Sequence, residues 1–87
     1  MKFETVSLFE KQFKKLAKKY SFIKEDISKF ITDFDTLHSQ STTIKNNLFK
    51  TRLANSNKNK SKSAGYRIYY YLKINETVYL LTIYDKS

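Results

Sequence analysis

The chain contains no cysteine and a single histidine, His38. Without cysteine it can form neither a disulfide framework nor a cysteine-ligated metal site. It has no apolar run near the roughly 18 residues of a transmembrane helix, and its first residues lack the apolar core of a signal peptide. These absences predict a soluble, cytoplasmic protein with no membrane partner, no metal site and no cofactor.

Acidic residues are scarce: Asp and Glu number 8 against 17 Lys and Arg, which gives a net charge of +9. No acid lies between Ser41 and Lys73. Within that region, residues 45–73 hold eight Lys or Arg, including both arginines, Arg52 and Arg67, and the only glycine, Gly65. The alternative interpretation is a face that only aids solubility, but such a face usually carries charges of both signs. We interpret this concentration as a surface for polyanions, with RNA as the first candidate.

At 87 residues the chain is long enough for one domain, residues 1–87, with a modest core. A capping box at Ser7 and Glu10 predicts the start of a first helix, and apolar residues then recur at helical spacing. A second helix is predicted over residues 23–37. The apolar faces of these two helices comprise Phe9, Phe13, Leu16, Ala17, Tyr20, Ile27, Phe30, Ile31, Phe34 and Leu37.

Two later segments, residues 48–54 and 66–73, alternate in polarity as strands do. Their apolar positions are Phe49, Thr51, Leu53, Tyr66, Ile68, Tyr70 and Leu72. Residues 2–6 are a weak first strand, residues 38–47 a connector, and residues 78–84 a last strand. The pattern predicts an α+β fold in which an N-terminal helical hairpin packs on one face of a small antiparallel sheet.

The basic segment LFKTRLANSNKNKSKSAGYRIYYYLK, followed by VYLLTIYDKS, resembles the RelE/ParE superfamily of bacterial toxins, and the HigB-like branch most closely. The resemblance covers nearly the whole chain and rests on the order of the KxR motif, the basic loop, GYRIxYY and LLTIYxK. Two features differ from the group. The loop has Asn and Ser where the group favours glycine, and the chain is expected to lack the family's short C-terminal helix.

The resemblance implies the toxin of a type II toxin–antitoxin system, a ribosome-dependent, metal-independent mRNA endoribonuclease that inhibits translation and arrests growth. It also implies three partners: the ribosome, mRNA and a cognate antitoxin, expected to be acidic and DNA-binding. Two alternatives stay open. One is a ParE-like gyrase inhibitor, and the other is a catalytically weak relative that only binds RNA or an antitoxin.

RNA can be cut without metal when its own 2′-hydroxyl attacks the adjacent phosphate, which requires a base, a stabiliser of the phosphorane and an acid. His38 ends a predicted helix and is interpreted as exposed there. The base, the acid and the stabiliser of the phosphorane are therefore expected among the Lys, Arg and Tyr residues. Neighbouring cations disfavour the charged form of a lysine, whereas arginine keeps its proton. The predicted catalytic set is therefore Lys50 as base, Arg67 as phosphorane clamp, Arg52 as its support, Tyr84 as a stacking residue and Lys86 as acid; the resemblance supports the positions of the four cations.

A second predicted set binds RNA without cleaving it. Lys58, Lys60 and Lys62 alternate with small polar residues in the basic loop and are expected to contact backbone phosphates. Because neighbouring strand residues point to opposite faces, Tyr70 is assigned to the core. Tyr69 and Tyr71 are predicted to stack on RNA bases, and Lys73 is assigned to the same RNA-binding set.

Overall fold

The computed structural model describes residues 1–58 and 64–86. They form an α+β fold of three helices and five strands. Its radius of gyration, 12.2 Å, matches the about 12 Å expected for a compact domain of this length. The elements are β1 (Lys2–Thr5), α1 (Ser7–Ala17), α2 (Ile23–Thr32), α3 (Phe34–Ser39), β2 (Thr42–Lys45), β3 (Leu48–Leu53), β4 (Tyr66–Leu72) and β5 (Thr77–Asp85). Within the described ranges, no helix is both long and apolar enough to cross a membrane.

The strands form one open sheet in the order β1-β5-β4-β3-β2. Strands β2 to β5 pair antiparallel with their neighbours, but β1 pairs parallel with β5, with Lys2 opposite Thr77. The sheet is therefore mixed, and the expectation of a purely antiparallel sheet is wrong. The N-terminal strand adds to the outer edge of the C-terminal strand, a pairing of distant segments that local alternation does not specify.

The core lies on one face of the sheet. Tyr66, Ile68 and Tyr70 of β4 are all fully buried, as the alternation predicted. The helices contribute the other side of this core, with the most buried positions at Phe9, Ile23, Phe30 and Phe34. The rings of Phe30, Phe34 and Tyr70 meet edge to face at 5.3–6.0 Å between centroids, a favourable geometry for aromatic packing.

The predicted capping box does not form. No side chain caps the first turn of α1. Glu10 instead accepts a hydrogen bond of 2.5 Å from the hydroxyl of Thr5, which lies on β1. The prediction of a capping box is therefore wrong. Glu10 contacts Thr5 instead and connects α1 to the preceding strand.

The single second helix predicted over residues 23–37 is two helices. The break is at Asp33, whose φ of −98° and ψ of 20° are not helical. Phe34 and Leu37 after the break are buried, while Ile31 before it, assigned to the apolar face, is 38% exposed. Helical spacing alone does not indicate such a break.

His38 is packed against aromatic rings, which corrects its interpretation as an exposed helix end. Its ring stacks on Phe34 at 5.3 Å and meets Phe49 edge to face at 4.7 Å. A hydrogen bond of 2.6 Å joins its Nδ1 to the hydroxyl of Tyr70. The histidine therefore satisfies a buried phenol on the core side of the sheet.

Gly65 precedes β4 where two backbone segments meet. A Cβ at this position would lie 2.3 Å from the carbonyl oxygen of Leu53 and 2.9 Å from the amide nitrogen of Asn55. Its own carbonyl accepts a hydrogen bond of 2.9 Å from the amide of Lys86. Only glycine allows this close approach, which holds the end of β3 against the start of β4.

Candidate nucleic-acid interface

The sheet face opposite the helical core carries the residues that the sequence singled out. Arg52 on β3 lies directly opposite Arg67 on β4, and Arg67 lies directly opposite Tyr84 on β5. In the next row, Lys50 lies opposite Tyr69. Directly paired residues share a face of a sheet, so the pairing register brings these five side chains to one surface.

A cleft with a volume of about 630 Å³ opens on this face. Its lining consists of Gln40, Thr42, Lys50, Thr51, Arg52, Arg67, Tyr84 and Lys86. The structure thus brings together all five positions of the predicted catalytic set. Among the described residues that line the cleft there is no carboxylate, so the surface presents positive charge and polar groups to whatever enters it.

Arg67 is the most deeply placed of these cations. It is only 8% exposed, and its Nη1 donates to the carbonyl oxygen of Tyr66 at 3.4 Å. Lys50, Arg52 and Lys86 are exposed around it. The arrangement can surround one phosphate with a fixed guanidinium and several more mobile cations, which is the geometry that charge stabilisation requires.

Tyr84 borders the cleft and is 43% exposed. Its ring centroid lies 6.4 Å from that of Tyr69, with the planes tilted by 32°. Two partly exposed rings beside the cation cluster form an aromatic surface on which a nucleobase can stack.

Two arginines directly opposite each other are an unfavourable choice for stability. Like charges in this relation destabilise neighbouring strands. The chain has only two arginines, and the register pairs them with each other. A bound anion removes that repulsion, so the pair favours an anion-binding role over a purely solubilising one.

Arg52→Thr is expected to raise the free energy of unfolding by about 0.5 kcal/mol, because it removes this repulsion and introduces a good strand former. Urea unfolding at low and high salt measures the change, and the gain should shrink at high salt, where repulsion is screened. Exposed Lys24→Thr on α2 is the control for removing a cation. A loss of stability in the Arg52 variant would show that the two arginines do not repel each other.

The edge strand β2 contributes residues to the cleft that were not predicted from the sequence. Gln40 and Thr42 line the cleft, and Thr42 lies directly opposite Lys50. Both residues fall in the segment interpreted as a connector, where β2 forms instead. The available signal was the β-branched run Thr42, Thr43 and Ile44, which favours a strand.

Lys58 of the predicted RNA-binding set lies outside the cleft lining and is engaged within the protein. Its Nζ forms an ion pair of 2.5 Å with Asp85, and the two side chains are 18% and 7% exposed. The Nζ also donates to the carbonyl oxygens of Ala64 and Lys86 at 3.3 and 3.4 Å. Lys60 and Lys62 lie outside the described residues.

Asp85 is the centre of this internal polar cluster. Tyr20 and Asn55 donate hydrogen bonds to its carboxylate at 2.9 and 3.2 Å. Burial acts to raise the pKa of Asp85, but the hydrogen bonds from Lys58, Asn55 and Tyr20 and the Lys58 charge outweigh it, so the pKa is lowered. The carboxylate is therefore held ionised, as a structural group on the core side of β5.

Tyr66 lies beside the same polar cluster, but its pKa is raised and not lowered. Its ring is fully buried, and its hydroxyl has no hydrogen-bond partner within residues 1–58 and 64–86. Burial, reinforced by the negative charges of Asp26 and Asp85, raises the pKa of Tyr66. The phenol keeps its proton, which makes it unsuitable as a base and leaves that role to the cleft.

A scan against protein-family models found no match to the chain. A search of curated proteins likewise found no match.

Proposed function

We propose that the protein is the toxin of a type II toxin–antitoxin system, related to the RelE/ParE superfamily, and that it cleaves mRNA on translating ribosomes without a metal ion. The supporting observation is that Lys50, Arg52, Arg67, Tyr84 and Lys86 line one cleft. Strand alternation and the resemblance to the family point to these same positions. The proposal includes a RelE-like packing of the N-terminal helices on the sheet.

In the proposed reaction, Lys50 accepts the proton of the RNA 2′-hydroxyl. The resulting oxygen attacks the adjacent phosphorus, and the guanidinium of Arg67, supported by Arg52, stabilises the charge of the phosphorane. Lys86 donates a proton to the 5′-oxygen as its bond to phosphorus breaks. A base stacked on Tyr84 holds the reacting phosphate in place.

The depth of Arg67 supports this distribution of roles. Arg67 is only 8% exposed, so its side chain is held in place and needs little reorganisation when charge develops beside it. Lys50 and Lys86 are exposed, so RNA can reach them for proton transfer. In the same proposal, the ribosome positions the mRNA in the cleft, and an acidic, DNA-binding antitoxin inhibits the toxin by binding this basic chain.

The test is expression of the chain in growing bacteria without any antitoxin. We expect growth to stop because translation falls, and mRNA to be cut only where ribosomes engage it. Primer extension on ribosome-bound and naked RNA measures the cleavage. Efficient cutting of naked RNA would contradict the proposed mechanism. Arrest with intact mRNA and inhibited DNA supercoiling would favour the gyrase-inhibitor alternative, and no arrest would favour a relative that only binds.

A further inference from the structure

The open sheet face continues beyond the cleft as a surface of tyrosine and lysine. Tyr71 on β4 lies directly opposite Tyr79 on β5. Lys73 follows directly after the end of β4, with its Nζ 5.8 Å from the centroid of the Tyr79 ring. We call these three residues the distal platform. Sequence alternation gave no indication that Tyr79 belongs to it.

A β-bulge explains how Tyr79 comes to share a face with Tyr84. Tyr84 is five positions after Tyr79, and in a regular strand an odd offset places two side chains on opposite faces. In the observed register, Thr82 pairs with Tyr69 and Leu80 with Tyr70, so Leu81 has no partner of its own. Bulges of this kind redirect side chains and occur frequently beside functional sites. Here the bulge places both tyrosines on the open face.

The distal platform is too far from Arg67 to contact the same nucleotide. Tyr71 lies four residues beyond Arg67 on β4, which corresponds to about 13 Å along the strand. That exceeds the about 3.4 Å step of a stacked nucleic-acid strand. Tyr69 lies between the two positions, so partly exposed aromatic side chains continue from the cleft to the platform.

The chemistry of the platform fits single-stranded nucleic acid. Tyr71 is 36% exposed, and among the described residues no other aromatic ring packs against it. A cation beside exposed aromatic rings is the combination with which proteins bind single strands, since every base has a face that can stack. Glu4 lies opposite Tyr79 on the β1 side, paired with Lys2 at 3.3 Å. This ion pair adds no net positive charge at that edge, so the favourable path for phosphates runs along β4 toward Lys73.

We propose that the distal platform binds a nucleotide of the same RNA strand beyond the cleaved phosphate, and that it thereby sets the length and position of the bound substrate. This rests on the proposed function, because the cleft must hold RNA for the strand to reach the platform. The contact is made by stacking, so it is independent of base sequence.

Binding of two RNAs by the full chain tests the proposal. The probes are mixed-sequence single strands of about four and about eight nucleotides, each with a 2-aminopurine base near one end. We expect the longer RNA to bind more tightly than the shorter one. Replacing both Tyr71 and Tyr79 with Ala should lower affinity for the longer RNA about tenfold or more. Replacing both with Phe should preserve that affinity, because the rings remain. Ile74→Ala, at a 95% exposed neighbouring position, is the matched control.

The outcomes separate this proposal from the function on which it rests. If the Ala pair keeps the full advantage of the longer RNA, the distal platform is not a binding site, although the cleft still is. Loss of that advantage in both the Ala and the Phe pair would overturn stacking as the mechanism. If the unaltered chain binds neither RNA, alone or on ribosomes, both the platform and the proposed RNA chemistry are wrong.

Discussion

An Arg67→Ala variant is expected to cleave ribosome-bound mRNA about 100- to 1,000-fold more slowly than the unaltered chain. The reason is that Arg67 is the most buried cation of the cleft, where it is proposed to stabilise charge that appears only in the transition state. Loss of one such preorganised donor affects the chemical step more than substrate binding. Single-turnover cleavage at saturating ribosome complex measures the effect, and unchanged cleavage would remove Arg67 from the mechanism.

Two further variants separate the roles of charge and proton transfer. Arg67→Lys keeps the charge but loses the planar guanidinium, so it should restore only part of the activity. Lys50→Arg should stay nearly inactive, like Lys50→Ala, because arginine cannot accept a proton near neutral pH. Full activity in Lys50→Arg would make this residue a phosphate clamp instead of a base. Urea unfolding of each variant shows whether the fold is intact, and Lys24→Ala on α2 is the matched loss of a cation.

The sequence predicted which of these side chains share a surface because they lie on neighbouring strands. Strand alternation decides which side chains share a face, and the pairing of β3 with β4 then places Lys50, Arg52 and Arg67 together. The same alternation identified Tyr66, Ile68 and Tyr70 as core. Period-two patterns are local, so they can be read without knowing the rest of the fold.

What could not be predicted depends on contacts between distant residues. The parallel pairing of β1 with β5 joins the two ends of the described chain. The bulge at Leu81 changes which residues of β5 face outward, although nothing in the surrounding sequence marks its position. Lys58 lies in a polar, basic segment that is typical of a solvated loop, and only the fold shows that Asp85 lies beside it. Each of these features depends on a partner that lies far away in sequence or on another strand.

Asp85→Ala is expected to lower the free energy of unfolding by about 3 kcal/mol. It removes the acceptor of Lys58, Tyr20 and Asn55 and leaves Lys58, whose side chain is only 18% exposed, without its counterion. Lys58→Ala should cost less, since Tyr20 and Asn55 still satisfy the carboxylate. Urea unfolding measures both changes, and Asp35→Ala, an exposed acid on α3, is the matched control.

The double variant and the response to acid test the origin of that loss. If Lys58 and Asp85 act as a pair, the double variant should be more stable than the sum of the two single effects predicts. Because the pKa of Asp85 is lowered in the folded state, its contribution is complete above the ordinary value of 3.8 and is lost as the pH falls below it. Asp85→Asn should therefore flatten the fall in stability below about pH 4. Lys58 is not bound to Asp85 if the two single changes in the free energy of unfolding are additive and Asp85→Asn leaves the fall in stability below about pH 4 unchanged. Lys58 would then be available to bind RNA.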